Sequence, residues 1–270
     1  LACLKPVDST CQAVLSHSLR IEPAPSQQIE QRDVFKNEQL FFSLQSPHET
    51  LDVISQSTIE TFVPPTYPST IAWETVREQF RYKAGSDYEP ANEFVFPSPY
   101  VKRHEDFASY ARTSFPKGMS LLQAAQDLMH RIYADFTYES HSTEINTPAL
   151  EALATRKGVC QDFAHIMIAC LRSMGMPARY VSGYLLTHPA PGKERLIGSD
   201  ASHAWVSLRV PHMAASAGSE SWYDFDPTNN RAGWCSPGPD YVRLAVGRDF
   251  ADVSPLRGVL QGGASHTLQV

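Results

Sequence analysis

One segment of the chain combines a helix-length apolar run with a chemically reactive residue at its start. From Phe163 to Met174 the apolar side chains recur every three or four residues, the spacing of one face of a buried α-helix. Gly158 interrupts the polar segment before this run, so Cys160 falls at or near the first turn of the helix. The N–H groups at a helix start favour a thiolate, which is a nucleophile. The helix therefore presents a candidate nucleophile, and the next question is whether the chain also supplies a base.

A histidine and an aspartate lie at the ends of two strand-like segments that follow the helix. His203 stands at the start of an alternating segment that extends to Val210. Asp226 ends a short apolar segment that begins at Trp222. If these strands pair antiparallel, the start of the first lies beside the end of the second, so His203 and Asp226 become neighbours.

This arrangement predicts a catalytic triad. The Cys160 thiolate would attack a carbonyl carbon, His203 would protonate the leaving amine, and Asp226 would orient the imidazole. Backbone N–H groups near Cys160 would bind the oxyanion.

Other aspartates compete for the orienting role. Asp224 shares a strand face with Asp226, and Asp200 lies in the loop before His203. We favour Asp226 because strand ends present side chains to a site. Asp162, in the first turn of the helix, is either a partner of the helix dipole or a contact to a neighbouring loop.

The remaining histidines and cysteines near the helix do not form a metal site. His165 is expected on a different side of the helix from Cys160, and Cys170 lies within the apolar run and is expected to pack there. Since the three do not share a helix face, a zinc site is not predicted. We expect neither a metal nor another cofactor.

Composition excludes several classes of partner and suggests a compartment. The net charge of −6 argues against a nucleic-acid or acidic-membrane partner. No apolar run approaches the roughly 18–20 residues of a membrane span, and the first residues lack the features of a secretory signal. The five scattered cysteines predict no disulfide framework and a reducing, cytoplasmic location, with a Cys3–Cys11 loop closure as a minor alternative.

The chain divides into three parts by pattern. Strand-like segments separated by turns predict a small β-sandwich-like domain over residues 1–63. Residues 64–119 are rich in proline at their start and are expected to form a linker with ordered loops and a helix. Residues 120–270 begin with a helix capped by Ser120 and continue through the Cys160 helix into strands, which predicts an α+β core.

Three motifs of this core resemble those of the transglutaminase-like superfamily. They are Gly158–Asp162, Ser202–Trp205 and Asp226–Thr228, and the strand Ala178–Tyr184 is similar to the one after the nucleophile helix in that family. The region before the core resembles the β domain of bacterial transglutaminase-like proteins. The resemblance implies a papain-like core, a helix bearing the cysteine packed on an antiparallel sheet, with Cys160, His203 and Asp226 as its Cys-His-Asp triad.

The resemblance also implies a class of reaction. Active members form an acyl-thioester and differ in whether water or an amine takes the acyl group. Our leading expectation is hydrolysis of a peptide, isopeptide or other amide bond in a peptide or protein substrate, as in a cysteine peptidase. The alternatives are a protein-glutamine transglutaminase and a non-catalytic interaction module that keeps the fold.

Further residues are expected near the cleft. Gln161, Asp162, Tyr184 and Trp205 are candidates for lining it. Animal transglutaminases carry a tryptophan upstream of the nucleophile that assists the oxyanion, but the nearest upstream tryptophan here is the distant Trp73. No pattern of closely spaced acidic residues suggests a calcium site.

Overall fold

The computed structural model describes residues 1–63, 66–85, 89–139, 147–186, 202–211, 221–259 and 261–262. The helices are α1 (Trp73–Gln79), α2 (Glu105–Arg112), α3 (Leu121–Asp135), α4 (Ala149–Thr155), α5 (Cys160–Ser173) and α6 (Phe250–Val253), with a 3₁₀ helix at Pro90–Val95. The strands are β1 (Ala2–Lys5), β2 (Gln12–Glu22), β3 (Gln27–Arg32), β4 (Glu38–Ser43), β5 (Asp52–Thr61), β6 (Thr137–Tyr138), β7 (Lys157–Gly158), β8 (Ala178–Leu185), β9 (His203–Arg209), β10 (Trp222–Asp226), β11 (Arg231–Trp234) and β12 (Tyr241–Gly247).

The core is one five-stranded sheet with helices packed against it. Its strand order is β11-β10-β9-β8-β12, and every neighbouring pair is antiparallel. The predicted α+β class is therefore confirmed.

The α5 helix is almost entirely buried. Ile166, Met167 and Leu171 are 0 % exposed, as are Val206 and Leu208 of β9 in the same apolar cluster. Each fully buried side chain of this size contributes roughly 1.5–3 kcal/mol to folding. This packing fixes the position of the helix, and with it the position of Cys160 at its start.

The predicted start of the longest helix is confirmed. The Ser120 hydroxyl oxygen accepts the N–H of Gln123 at 3.3 Å and caps α3. The Ser120 hydroxyl also donates a hydrogen bond to Gln123 Oε1 at 2.9 Å, so the second contact between these two residues joins their side chains.

The N-terminal strands form small sheets, one of three strands (β1-β4-β3) and one of two (β2-β5). Sequence patterning misses β3, whose six residues are all exposed and mostly polar. Without a buried face, this strand has no alternation of apolar residues to reveal it. The predicted domain boundaries near residues 63 and 119 stay predictions.

Two amide side chains join these N-terminal strands to the open edge of β12. Gln12 exchanges two hydrogen bonds with the backbone of Arg243, at 2.7 and 2.8 Å. Asn37 does the same with the backbone of Val246, at 2.7 and 2.8 Å. Edge strands present unpaired backbone groups. The two amides satisfy these groups at two positions, in place of a further strand.

The cysteine pairing differs from the expectation. Cys11 forms a disulfide with Cys235, so the Cys3–Cys11 alternative is wrong. Cys3 is a buried free thiol. The bonded residues are 224 positions apart, and only folding of the N-terminal strands onto the core brings them together.

No helix within the described ranges is long and apolar enough to cross a membrane.

Candidate active site

The predicted triad residues meet at one end of the five-stranded sheet. Gly183 near the end of β8 pairs with His203 at the start of β9, and Asp226 ends β10. A short turn after α5 leads into β8, so the start of α5 lies over the same end as the end of β8. The antiparallel pairing expected from the sequence is thus the arrangement found.

His203 and Asp226 are in direct contact. His203 Nε2 lies 2.7 Å from Asp226 Oδ2, with side chains 10 % and 0 % exposed respectively. Cys160 acts on the same imidazole, because its side chain and its charge contribute to raising the pKa of His203. The histidine therefore connects the cysteine to the carboxylate.

The Asp226 carboxylate is surrounded by donors. Its Oδ1 accepts the N–H of Thr228 at 2.9 Å and that of Asn229 at 3.3 Å. Its Oδ2 accepts Asn229 Nδ2 at 2.6 Å and the Tyr241 hydroxyl at 2.7 Å, besides His203. Although burial raises the pKa of Asp226, hydrogen bonds from His203, Asn229 and Tyr241 and the His203 charge outweigh it and keep that pKa below its usual value. The group is therefore an anion at neutral pH.

Two of these donors were not predicted from the sequence. Asn229 lies three positions after Asp226 in a turn, where an aspartate commonly accepts nearby backbone N–H groups, so a local signal existed. Tyr241 belongs to β12, on the far side of β9 and β8 in the sheet, and no local pattern connects it with Asp226.

His203 has the electrostatics of a partner for a thiolate. Burial lowers its pKa, but hydrogen bonds to Asp226 and Cys160, together with the charges of both, raise the pKa of His203 to about 10. A histidine in this state is protonated at neutral pH. The arrangement suits a thiolate–imidazolium pair.

Asp162 shapes the backbone just before the nucleophile. Its Oδ2 accepts the N–H of Val159 at 2.9 Å, at the point where α5 begins. The side chain is 2 % exposed, so the observed role of Asp162 is to fix the helix start, and lining of a cleft by this residue stays a prediction. Cys160 itself is half-buried.

The other candidate cleft residues differ in exposure. Gln161 and Tyr184 are half-buried, and Tyr184 lies near the end of β8, at the end of the sheet that carries the triad. Burial raises the pKa of Tyr184. Trp205 is 1 % exposed and lies beside the imidazole of His203 instead of facing solvent. Cleft lining by Gln161 and Tyr184 stays a prediction.

Asp224, the competing aspartate on β10, binds a different group from His203. Asp224 accepts the indole N–H of Trp205 at 2.9 Å and is fully buried. Asp200 lies outside the described residues. Of the two aspartates on β10, Asp226 is the one in contact with the histidine.

His165 and Cys170 lie in the packed interior. His165 Nε2 accepts the N–H of Phe250 at 3.3 Å, and the ring stacks on Tyr100 with centroids 5.5 Å apart. Burial lowers the pKa of His165 to about 4 and raises the pKa of Cys170 well above its usual range. Among the described residues, no group of three His, Cys, Asp or Glu side chains is arranged to hold a metal ion.

Comparisons with known proteins identify the family of the chain. The profile of the transglutaminase-like superfamily matches residues 108–227, and that of the bacterial transglutaminase-like N-terminal region matches residues 1–60. An uncharacterised protein of Mycobacterium tuberculosis is 39 % identical over 270 residues, covering 98 % of this chain and 82 % of that protein. A protein-glutamine gamma-glutamyltransferase of Pseudomonas aeruginosa is 31 % identical over 111 residues, covering 38 % of this chain and 16 % of that enzyme.

A solved structure supports the same fold. A candidate cysteine protease from Cytophaga hutchinsonii superposes with a TM-score of 0.68 at 23 % identity, covering 94 % of this chain and 77 % of that one. At this identity the likeness concerns the fold alone. With both profiles matched, a close relative along nearly its whole length and the expected core, the chain belongs to the transglutaminase-like superfamily.

Proposed function

We propose that the protein hydrolyses an amide bond of a peptide or protein through a Cys-His-Asp triad. The observation that carries the proposal is the contact of His203 with Asp226 at 2.7 Å, beside a Cys160 whose side chain and charge raise the pKa of the same imidazole. A nucleophile, a base and an orienting carboxylate joined in this order are the minimal set for acyl transfer.

The reaction proceeds in two halves. The Cys160 thiolate adds to the carbonyl carbon, and the oxyanion is bound by N–H groups of the first turn of α5, which have no intrahelical acceptor. The carbon–nitrogen bond breaks as His203 gives its proton to the leaving amine, which leaves a thioester on Cys160. Water then attacks the thioester while His203 takes its proton, the carbon–sulfur bond breaks, and the acid leaves as the Cys160 thiolate and the His203 imidazolium are restored.

Transfer to an amine is the second candidate. It differs only in the group that attacks the thioester, and the similarity to the Pseudomonas aeruginosa glutamyltransferase favours it. A non-catalytic module that keeps the fold would form no thioester.

The first test is the reactivity of Cys160. Iodoacetamide at neutral pH should label Cys160 in preference to the buried thiols of Cys3 and Cys170, which serve as internal controls. His203→Ala should slow the labelling by about tenfold or more, because an unassisted thiol is only a few per cent thiolate at this pH. Equal labelling rates in the two proteins would overturn the triad.

A second test decides the reaction. The protein is incubated with a peptide library and a labelled primary amine, and products are identified by mass spectrometry. Peptides cleaved or deamidated by water support hydrolysis, and amine-labelled peptides establish transfer instead. Cys160→Ser is the matched control, and products equal to those of this variant would favour the non-catalytic module.

The cytoplasmic location stays a prediction. The Cys11–Cys235 disulfide weighs against it, because disulfides persist mainly in oxidising compartments.

A further inference from the structure

We propose that Asp224 and Trp205 are positioning residues for His203, with the buried carboxylate holding the indole and the indole holding the imidazole. The inference rests on the proposed function, since it concerns the orientation of the proposed base. It assigns a role to Asp224, the aspartate of β10 that does not bind His203.

The two aspartates of β10 hold neighbouring groups. Asp224 and Asp226 are two positions apart, so both side chains lie on the same face of the sheet, and both are 0 % exposed. Asp226 binds His203 at 2.7 Å, and Asp224 binds Trp205 Nε1 at 2.9 Å. His203 and Trp205 are also two positions apart, on the adjacent strand. Each carboxylate therefore fixes one ring of a neighbouring pair.

The indole flanks the imidazole at a defined angle. The rings of Trp205 and His203 are stacked, with centroids 6.1 Å apart and planes at 29°. Tyr241 packs edge-on against Trp205 at 5.5 Å and donates its hydroxyl to Asp226. Trp205 thus contacts both the His203 ring and the tyrosine that binds the carboxylate of Asp226.

A glycine makes room for this indole. A Cβ atom on Gly183 would lie 2.5 Å from Cη2 of Trp205 and 2.1 Å from the carbonyl oxygen of Val242. Gly183 is the residue that pairs with His203 on β8. The Trp205 ring therefore lies over the backbone of Gly183, directly opposite His203. Any side chain larger than that of glycine at this position would occupy the space of the ring.

The surroundings of Asp224 fit an orienting role better than a stabilising one. Arg179 and Arg243 are 8 % and 7 % exposed and act on Asp224 by their charges. Burial still raises the pKa of Asp224 despite the hydrogen bond from Trp205 and these charges. Buried charged groups contribute little net stability compared with apolar residues of similar size. The carboxylate accepts a directed hydrogen bond from the indole N–H of Trp205, and an apolar side chain could not do so.

The test measures Cys160 labelling by iodoacetamide as a function of pH in folded variants. Trp205→Phe keeps an aromatic ring but removes the N–H, and Trp222→Phe is the control, because Trp222 is a buried indole of β10 that packs on Arg179 and Phe94. Circular dichroism establishes the folded fraction at each pH. The rates are then expressed per folded molecule.

We expect Trp205→Phe to slow labelling about tenfold and to shift the midpoint of the pH profile upward by about one unit, since a misaligned imidazole pairs less well with the thiolate. Trp222→Phe should keep the wild-type midpoint. A folded Trp205→Phe protein with the wild-type midpoint and rate would overturn the proposal.

A second pair of variants tests the proposal independently, in case Trp205→Phe does not fold. Asp224→Ala removes the acceptor for the indole, whereas Asp224→Asn keeps an acceptor oxygen. Asp224→Ala should shift the midpoint as Trp205→Phe does, and Asp224→Asn should restore most of the rate. Equal profiles for the two variants would contradict the orienting bond. Wild-type labelling that does not depend on His203 would overturn both the proposed function and this inference, whereas His203-dependent labelling with unshifted variants overturns the inference alone.

Discussion

Asp162 folds back over Gly158 so closely that a Cβ atom on Gly158 would lie 2.7 Å from its Oδ2. The same carboxylate oxygen accepts the N–H of Val159 at 2.9 Å. The start of α5, and therefore the backbone of Cys160, depends on this close approach. The relationship explains why a glycine precedes the candidate nucleophile.

Gly158→Ala should disturb this helix start. The added methyl group would also lie 2.8 Å from Asp162 Cβ, so the backbone must move. We expect a loss of about 1–3 kcal/mol in unfolding free energy, measured by urea denaturation, and slower alkylation of Cys160. Gly258→Ala is the control, because no atom lies within 4 Å of its Cβ position. Equal stability of the two variants would contradict the contact.

His203 should make stability fall in alkaline solution. Its pKa in the folded protein is about 10 against an ordinary 6.5, so it contributes stability that is fully present below about pH 6.5 and is lost as the pH rises to about 10. Urea denaturation at several pH values across this window should show a shallower decline for His203→Gln than for wild type. His48→Gln, which changes an exposed histidine, should keep the wild-type slope. A His203→Gln slope as steep as that of wild type would disprove the assignment.

His165 should act in the opposite direction, in acid. Burial lowers the pKa of His165 from the ordinary 6.5 to about 4. The charge of Asp249 opposes this shift, and that of Arg172 adds to it. The unfolded chain then binds a proton that the folded protein does not, so stability is lost as the pH falls from about 6.5 to about 4.

The variant His165→Gln keeps an acceptor for the N–H of Phe250 and cannot titrate. Thermal melts between pH 7 and pH 4 should therefore change less for this variant than for wild type. An unchanged pH dependence would show that His165 is not the group responsible.

The Cys11–Cys235 disulfide should stabilise the fold. It closes a long loop between residues 224 positions apart, and disulfides typically contribute about 2–4 kcal/mol by restricting the unfolded chain. Reduction by dithiothreitol should lower the melting temperature of wild type to that of the Cys11→Ser/Cys235→Ser double variant. The double variant should not respond to the reductant. A wild-type melting temperature that is insensitive to dithiothreitol would contradict the bond.

Much of the candidate site follows from local patterns in the sequence. The apolar spacing after Gly158 predicts α5 with Cys160 at its first turn, and the alternation after His203 predicts β9. The end of β10 at Asp226 is equally local, because Pro227 follows it. These features depend on residues within a few positions of one another, which is why sequence alone predicts them.

The N-terminal sheets and the sheet edge were predicted less completely. Neither β3 nor β12 is predicted from local pattern, since β3 is exposed throughout and β12 is buried at nearly every residue, so neither has the alternation of a half-buried strand. The Cys11–Cys235 disulfide is not predicted, for a related reason. Cys235 lies 224 positions after Cys11, and the spacing of cysteines along the chain does not indicate which two pair.

Local sequence patterns predict the Cys160 helix, the strands that carry His203 and Asp226, and the order of a nucleophile, a base and an acid along the chain. The sequence favours Asp226 as the orienting acid, and the tertiary structure places it on His203 while giving Asp224 a different partner, Trp205, which no local pattern predicts. The tertiary structure also brings the Tyr241 hydroxyl to Asp226 from another strand. The physical reason is that periodicity reports which face a residue occupies, whereas contacts between side chains depend on strand register and on packing between distant segments.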